Sequence, residues 1–242
     1  MTKTYGIYCP TSKACEVLEP RWTIQILCEI WDNNTRFNEI RRALPALSPG
    51  LLSKRLKELE ANGLIERVED KATGNIDYFR TQKAIDLEPI FDGMAKWAQK
   101  YVHADIALAD RDAGMLMWKL RRRIDAEHMP PGRNVVRFHF SDSTGNHDTF
   151  WIVAERGRDA DLCIHDPRID PDLFVETEVG VLTGIYMGRR SLSRDLDDGR
   201  IFFSGDNRLI RNFRKWLPPS VYADVEGTLI APDHTARASE RG

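Results

Sequence analysis

Six basic side chains, Arg36, Arg41, Arg42, Lys54, Arg55 and Lys57, fall within residues 36–57 beside a single acid, Glu39. A local excess of five positive charges is the size of field that a phosphate-binding face needs. On charge alone, a solvated helical face accounts for the same residues equally well. Other chemistry is thinner. His139, His147 and His165 lie on or near strand patterns, but no ligand spacing of the HExxH kind recruits them. No GxSxG, P-loop or GxGxxG occurs. Cys9, Cys15, Cys28 and Cys163 are too unevenly spaced for a disulfide framework or a CxxC knuckle. The expectation is a binding protein rather than an enzyme, with no cofactor and no metal.

The elements around the basic run decide how it is displayed. Trp22, Ile26, Leu27, Ile30 and Trp31 recur at the spacing of an amphipathic helix, stopped by Asp32-Asn33-Asn34. Phe37, Ile40, Ala43 and Leu44 mark a second short helix, closed by Pro45. A third opens at Ser48-Pro49, an N-cap followed by proline at the first helical position, and ends at Asn62-Gly63. Leu52, Leu56 and Leu59 stripe one side of it as core. The opposite side presents Gly50, Lys54, Lys57 and Ala61, with Ser53 beside them. Arg55 leans to the apolar side, its stem laid over the core. Two strand signals follow, Leu64 to Val68 and Asp77 to Thr81, joined at Gly74-Asn75. Helix, turn, helix and charged hairpin make a winged helix-turn-helix, whose third helix fits the roughly 12 Å major groove of DNA. Ile90, Met94, Trp97 and Tyr101 then stripe a helix that can bury against a second subunit.

The chain has 242 residues, 35 basic and 37 acidic, and 42% of it is apolar, an ordinary globular balance. An Ala/Asp-rich stretch near residues 103–114 divides it into a DNA-binding and dimerisation domain over 1–103 and a second domain over 104–225, with a flexible tail over 226–242. In the second part the period shifts toward two. Strands are expected at Val135 to Phe140, Thr149 to Val153, Leu162 to Ile164, Leu173 to Thr177 and Arg200 to Ser204. Helices are expected from Leu116 to before Met129, at Val179 to Met187, Leu192 to Leu196 and Asn207 to Trp216. The fold class is α+β. No apolar run is long enough for a bilayer, and no h-region follows Lys3, so a cytoplasmic protein is expected.

The first hundred residues resemble the HxlR family of winged helix-turn-helix transcriptional regulators. The resemblance is carried by Cys9-Pro10, Arg21-Trp22-Thr23, the run from Arg36 to Pro45, and the run from Leu47 to Arg67. It departs at Arg80-Thr81 and Ala84, where the family carries a leucine-threonine pair and then a glycine, which bears on the exit of the wing. The resemblance implies a homodimer on a pseudo-palindromic double-stranded operator. Ser48, Ser53, Lys54 and Lys57 would then face the major groove, Arg36, Arg41 and Arg42 the phosphates, and Lys71 and Asn75 the wing tip. Cys9 matches the position where electrophile-sensing members carry their thiol. Lys13, one turn on, is placed to favour the thiolate, and the alternative is a small residue packed at the dimer edge.

From about Met115 to Pro218 the chain resembles a sterol-carrier-type domain. The carrying features are Asp161 to Ile164, Val181 to Gly188, Leu192 to Leu196, Gly199-Arg200-Ile201 and Ser204-Gly205-Asp206. That implies a four- or five-stranded sheet with helices on one face and an apolar cavity. Trp118, Phe138, Phe140, Trp151, Ile185 and Tyr186 are candidates to line a pocket for a small apolar ligand, or are plain core. Three further readings stay open: a thiol switch at Cys9, a lipid carrier that has lost DNA binding, and a second domain that only stabilises the dimer.

Overall fold

The computed structural model describes residues 4–104 and 108–228, in two compact units, Met1–Asp92 and Gly93–Gly242. Most of the expected tail over 226–242 therefore lies outside the described residues. Its first three residues close a turn in which Thr228 N donates to Val225 O at 3.1 Å.

The N-terminal unit comprises α1 (Pro10–Leu18), α2 (Thr23–Trp31), α3 (Phe37–Ala43), α4 (Pro49–Ala61), β1 (Ile65–Glu69), β2 (Ile76–Arg80), α5 (Gln82–Ile85) and the start of α6 (Glu88–Tyr101). Local chemistry sets the ends of α4. Ser48 Oγ accepts from Leu51 N at 3.4 Å and Pro49 opens the helix. At the other end Gly63 turns the chain at φ +67°, and Leu64 N reaches back to Leu59 O at 3.0 Å. Leu52, Leu56 and Leu59 are buried against Ile26, Leu27, Ile30, Ile40 and Leu64. Each such side chain is worth about 1.5–3 kcal/mol. The hairpin pairs Arg67 with Tyr78 and Glu69 with Ile76. α1 buries no residue fully, and only Val17 and Leu18 at its end pack half-buried against this core.

The departure at the wing exit leaves it anchored. Thr81 Oγ1 donates to Gly63 O at 2.7 Å and also accepts from Ala84 N, capping α5. Ala84 is fully buried, and Lys83 Nζ donates to Asn62 O at 2.8 Å.

The C-terminal unit is a five-stranded sheet in the order β5-β4-β3-β6-β7. Its strands are β3 (Asn134–Phe140), β4 (Thr149–Ala154), β5 (Asp161–Cys163), β6 (Leu173–Thr177) and β7 (Ile201–Gly205). β3 and β6 run parallel and the other pairs antiparallel. The registers Phe138↔Phe150, Phe138↔Val175 and Phe140↔Thr177 place Val136, Phe138, Phe140, Phe150, Ile152 and Val175 on one face. That face packs with α7 (Ala113–Leu120), α8 (Val179–Tyr186), α10 (Asn207–Arg211) and α11 (Phe213–Trp216), with α9 (Leu192–Asp197) beside them. Arg137, His139, Trp151 and Phe174 point from the other face, since neighbouring strand residues alternate.

Two helices are shorter than their sequence pattern. α7 stops at Leu120 and gives way to two 3-10 turns, Arg121–Arg123 and Ala126–His128, the second capped by Asp125 Oδ1 accepting from Glu127 N. The last helix breaks at Asn212, whose Nδ2 donates to Arg208 O at 3.0 Å. Arg189, 2% exposed, ties down the end of α6. It donates to Gln99 Oε1 at 2.9 Å, Val102 O at 3.0 Å and Ala98 O at 3.1 Å. Gln99 Nε2 donates in turn to Met187 O and Tyr222 O, each at 2.9 Å.

Candidate nucleic-acid interface

The buried leucines of α4 leave its other side outward. Gly50, Ser53, Lys54, Lys57, Glu58 and Ala61 line a shallow concavity of about 420 Å³ there. Ser53, Lys54 and Lys57 are thus brought to one face. Ser48 stands at its end, exposed, with its hydroxyl engaged as the cap. Lys54 Nζ lies 4.0 Å from Glu58 Oε1, an exposed pair one helical turn apart, worth a few tenths of a kcal/mol. Arg55 turns away: it pairs with Glu58 and donates from Nε to Arg21 O at 3.0 Å, with its side chain 15% exposed. Glu58, an acid inside this face, is the member that charge counting over residues 36–57 misses.

Arg41 and Arg42 are exposed in the last turn of α3. Arg36 sits at that helix's start, where Glu39 Oε2 accepts from its backbone N at 3.1 Å. Its guanidinium Nε lies 3.4 Å from Asp77 Oδ1, which also accepts from Thr35 Oγ1 at 2.6 Å. Tyr78 N donates to Thr35 O at 2.8 Å, so the entry to α3 is bound to the wing's return strand. These contacts join residues about 40 apart, Thr35 and Asp77 being separated by 42, and no local signal announces them. At the wing tip Lys71 and Asn75 are exposed around a turn built on Asp70. The Asp70 carboxylate accepts from Thr73 Oγ1 at 2.7 Å and from Ala72 N at 2.9 Å, and these bonds hold its pKa below the usual carboxylate value. Gly74, at φ +68°, completes the turn.

Cys9 is exposed at the N-cap of α1, before Pro10. The backbone N–H of Ser12, and after it that of Thr11, lowers the thiol's pKa. Lys13 does not have the role its spacing predicts. Its Nζ pairs with Glu16 Oε1 at 2.9 Å, and amides at the start of the helix favour the thiolate in its place.

The HxlR-like helix-turn-helix family model matches residues 17–106. YvaP, an HTH-type transcriptional regulator of Bacillus subtilis, is 40% identical over 96 residues, which cover 39% of this chain and 89% of that protein. The chain belongs to the HxlR-like family. YodB, an HTH-type transcriptional regulator also from B. subtilis, is 35% identical over 95 residues, 38% of this chain and 85% of its own. The solved redox regulator HypR in its reduced form shares 30% identity over 37% of this chain and 90% of that one, at a TM-score of 0.35. The family match falls on the N-terminal part, whose helices and hairpin make a winged helix-turn-helix.

Beyond the family match, the candidate pocket residues of the C-terminal unit separate. Phe138, Phe140 and Ile185 are buried in the core, the two phenylalanine rings stacked at 6.4 Å, and Tyr186 packs half-buried against the same core. Trp118 is half-buried, with the Arg121 guanidinium 3.7 Å from its ring centre. Trp151 points from the opposite sheet face to Phe138. There it borders a polar cleft of about 310 Å³ with Ser143, Asn146, His147, Asp148, Thr149 and Ile164. Among the described residues no three His, Cys, Asp or Glu side chains are grouped to hold a metal ion, and no helix is long and apolar enough to cross a membrane.

Proposed function

We propose that this HxlR-like chain binds a pseudo-palindromic operator as a homodimer, with α4 entering the major groove. The exposed face of α4, with Ser53, Lys54 and Lys57 side by side, carries the reading. Lysine and serine donate to the guanine O6/N7 edge or to phosphate. Arg41 and Arg42 supply phosphate contacts, and Lys71 and Asn75 touch the flank. Ile90, Met94, Trp97 and Tyr101 are each half exposed or more along α6, as are Ile7 and Tyr8 before α1. Apolar surface of that kind supports pairing of two copies, which sets two recognition helices about 34 Å apart. A salt titration of binding to the chain's own upstream promoter tests this. Wild type binds with a steep negative slope of log K against log [salt]. The Lys54→Ala/Lys57→Ala variant binds roughly 10–100-fold more weakly, its slope shallower by about 0.9 for every phosphate no longer neutralised. No binding in any redox state defeats the reading and shifts the weight to a lipid carrier.

A second reading concerns control. Cys9 is exposed with a lowered pKa, and the relative YodB has a solved diamide-treated form. A thiol switch predicts that Cys9→Ser keeps DNA binding and loses its response to diamide or quinones. The sterol-carrier-type reading of the C-terminal unit draws support from its five strands with helices on one face. Under it a small apolar ligand shifts the dimer between DNA-competent and incompetent states through differential affinity. Titration of acyl ligands that never alters operator affinity defeats that control.

A further inference from the structure

We infer that the C-terminal unit carries a small-molecule site, the polar cleft beside Trp151, and that the cleft takes a neutral saccharide. The site lies outside the helix-turn-helix and does not depend on the DNA-binding reading. It is also apart from the apolar core, because Trp151 points from the sheet face opposite Phe138.

At about 310 Å³ the cleft is at the lower end of the range for small-molecule sites. Its lining is more polar than such sites usually are. Only Trp151 and Ile164 bring large apolar side chains, while Ser143, Asn146, His147, Asp148 and Thr149 bring hydrogen-bonding groups. The loop that carries most of these groups is tethered from several sides. Thr144 N donates to Arg111 O at 3.0 Å, and Ser143 Oγ donates to His147 O at 3.0 Å. Gly145 packs so closely on Asp112 that a Cβ there would stand 3.1 Å from its Oδ1. That oxygen in turn caps α7 by accepting from Met115 N at 3.2 Å. A tethered loop loses little freedom when a ligand arrives, which favours binding.

The groups at the cleft set the class of ligand. Thr149 Oγ1 donates to Asp148 Oδ1 at 2.8 Å and, ahead of the charges of His139 and Arg137, holds that carboxyl's pKa below the usual value. The two signs of charge oppose each other here. The Asp148 carboxylate repels an anion, and Arg137 and His139, near enough to act on that carboxylate, repel an organic cation. A metal ion lacks its donor set, since no three His, Cys, Asp or Glu side chains are grouped for one among the described residues. Neutral hydrogen bonding is what the cleft offers. The side chains of Asn146, His147 and Trp151 make no hydrogen bond among the described residues, and with Asp148 they present donors and acceptors together. Vicinal hydroxyls, each both donor and acceptor, are the complement of that set. The Trp151 indole has no ring or cation partner among the described residues, which leaves it to lie against the C–H face of a sugar ring.

The test is calorimetric titration of the full chain with glucose, galactose, mannose, ribose, maltose and lactose. Wild type binds at least one of them at a single site, with a Kd roughly millimolar or tighter. Asn146→Ala/Asp148→Ala weakens that sugar roughly 10–100-fold, as the loss of hydrogen bonds that include one to a charged group implies. Both residues are exposed, so the unfolding midpoint of this variant stays at the wild-type value. Trp151→Ala loses the sugar, whereas Trp151→Phe, which keeps an aromatic face, retains most of the affinity. No binding of any of the six sugars overturns the inference. Undiminished binding in the double variant also overturns it, because the sugar would then sit elsewhere. Binding of acetate or inorganic phosphate but of no sugar, lost in the double variant, gives the cleft to an anion and overturns it too. Operator binding is not the readout, so each of these failures leaves the DNA-binding reading standing.

Discussion

In the N-terminal unit the core and the candidate interface are two sides of one helix; in the C-terminal unit the core is centred on a sheet. Leu52, Leu56 and Leu59 lie under the same turns of α4 that present Ser53, Lys54 and Lys57. The C-terminal core gathers Phe138, Phe140 and Phe150 on a sheet face, with helices laid over it. A surface carried by one buried helix inherits every disturbance of its core. A truncation in the sheet core leaves that helix's own packing intact.

Paired core truncations put the largest effect on that contrast. Phe138→Ala costs about 3–5 kcal/mol and Leu56→Ala about 2–5 kcal/mol, both read by thermal unfolding. Leu56→Ala also weakens operator binding at temperatures where the protein remains folded, whereas Phe138→Ala leaves operator affinity within about twofold of wild type. Equal losses of affinity in the two variants break the comparison.

Next in size is Arg189→Ala, expected to cost about 2–3 kcal/mol because Gln99 and the carbonyls of Ala98 and Val102 lose a charged donor. Unfolding midpoints within about 1 °C of wild type, where a loss of that size shifts the midpoint by several degrees, would show the clamp to be dispensable.

The thiols sharpen the contrast further. Helix-start amides lower the pKa of Cys9, whereas burial first, and then the charge of Asp161, raises that of Cys163. A lowered pKa means that the thiolate persists to lower pH. The alkylation rate of Cys9 therefore levels off at a lower pH than that of an ordinary thiol, and Cys163 reaches its plateau above it. Mass spectrometry of iodoacetamide-treated protein across a pH range of about 6–10, which brackets the ordinary thiol pKa, checks the order, and a reversed order contradicts it.

Lys71→Ala at the wing tip is the smallest change, a few-fold drop in affinity spread evenly over operator sequences, as expected of a side chain that touches only phosphate. A drop confined to particular flanking bases would make Lys71 a base reader.

Much of the N-terminal unit is legible in the sequence because its signals are local. Ser48-Pro49, Asn62-Gly63 and the leucine stripe lie within one helix, and they alone determine which side chains face outward. The tie from Thr35 and Arg36 to Asp77 is not legible, since its partners meet only when the wing folds back. The C-terminal strands read well from alternation, but their neighbours do not. β3 pairs in parallel with β6 across two intervening strands of the sequence, and the β3–β4 register, which sets Trp151 opposite Arg137 and Phe150 opposite Phe138, separates Trp151 from Phe138. The break at Asn212 is missed for a related reason: Leu209, Phe213 and Trp216 keep helical spacing while the Asn212 side chain takes the carbonyl of Arg208.

Protection of guanine N7 from dimethyl sulfate, an atom that lies in the major groove, tests most directly whether α4 reads DNA. With the full chain bound to its promoter, the account predicts two protected clusters one helical turn apart, both lost in Lys54→Ala/Lys57→Ala at concentrations that saturate wild type. Bound DNA with unprotected N7, or protection that survives in that variant, would contradict it.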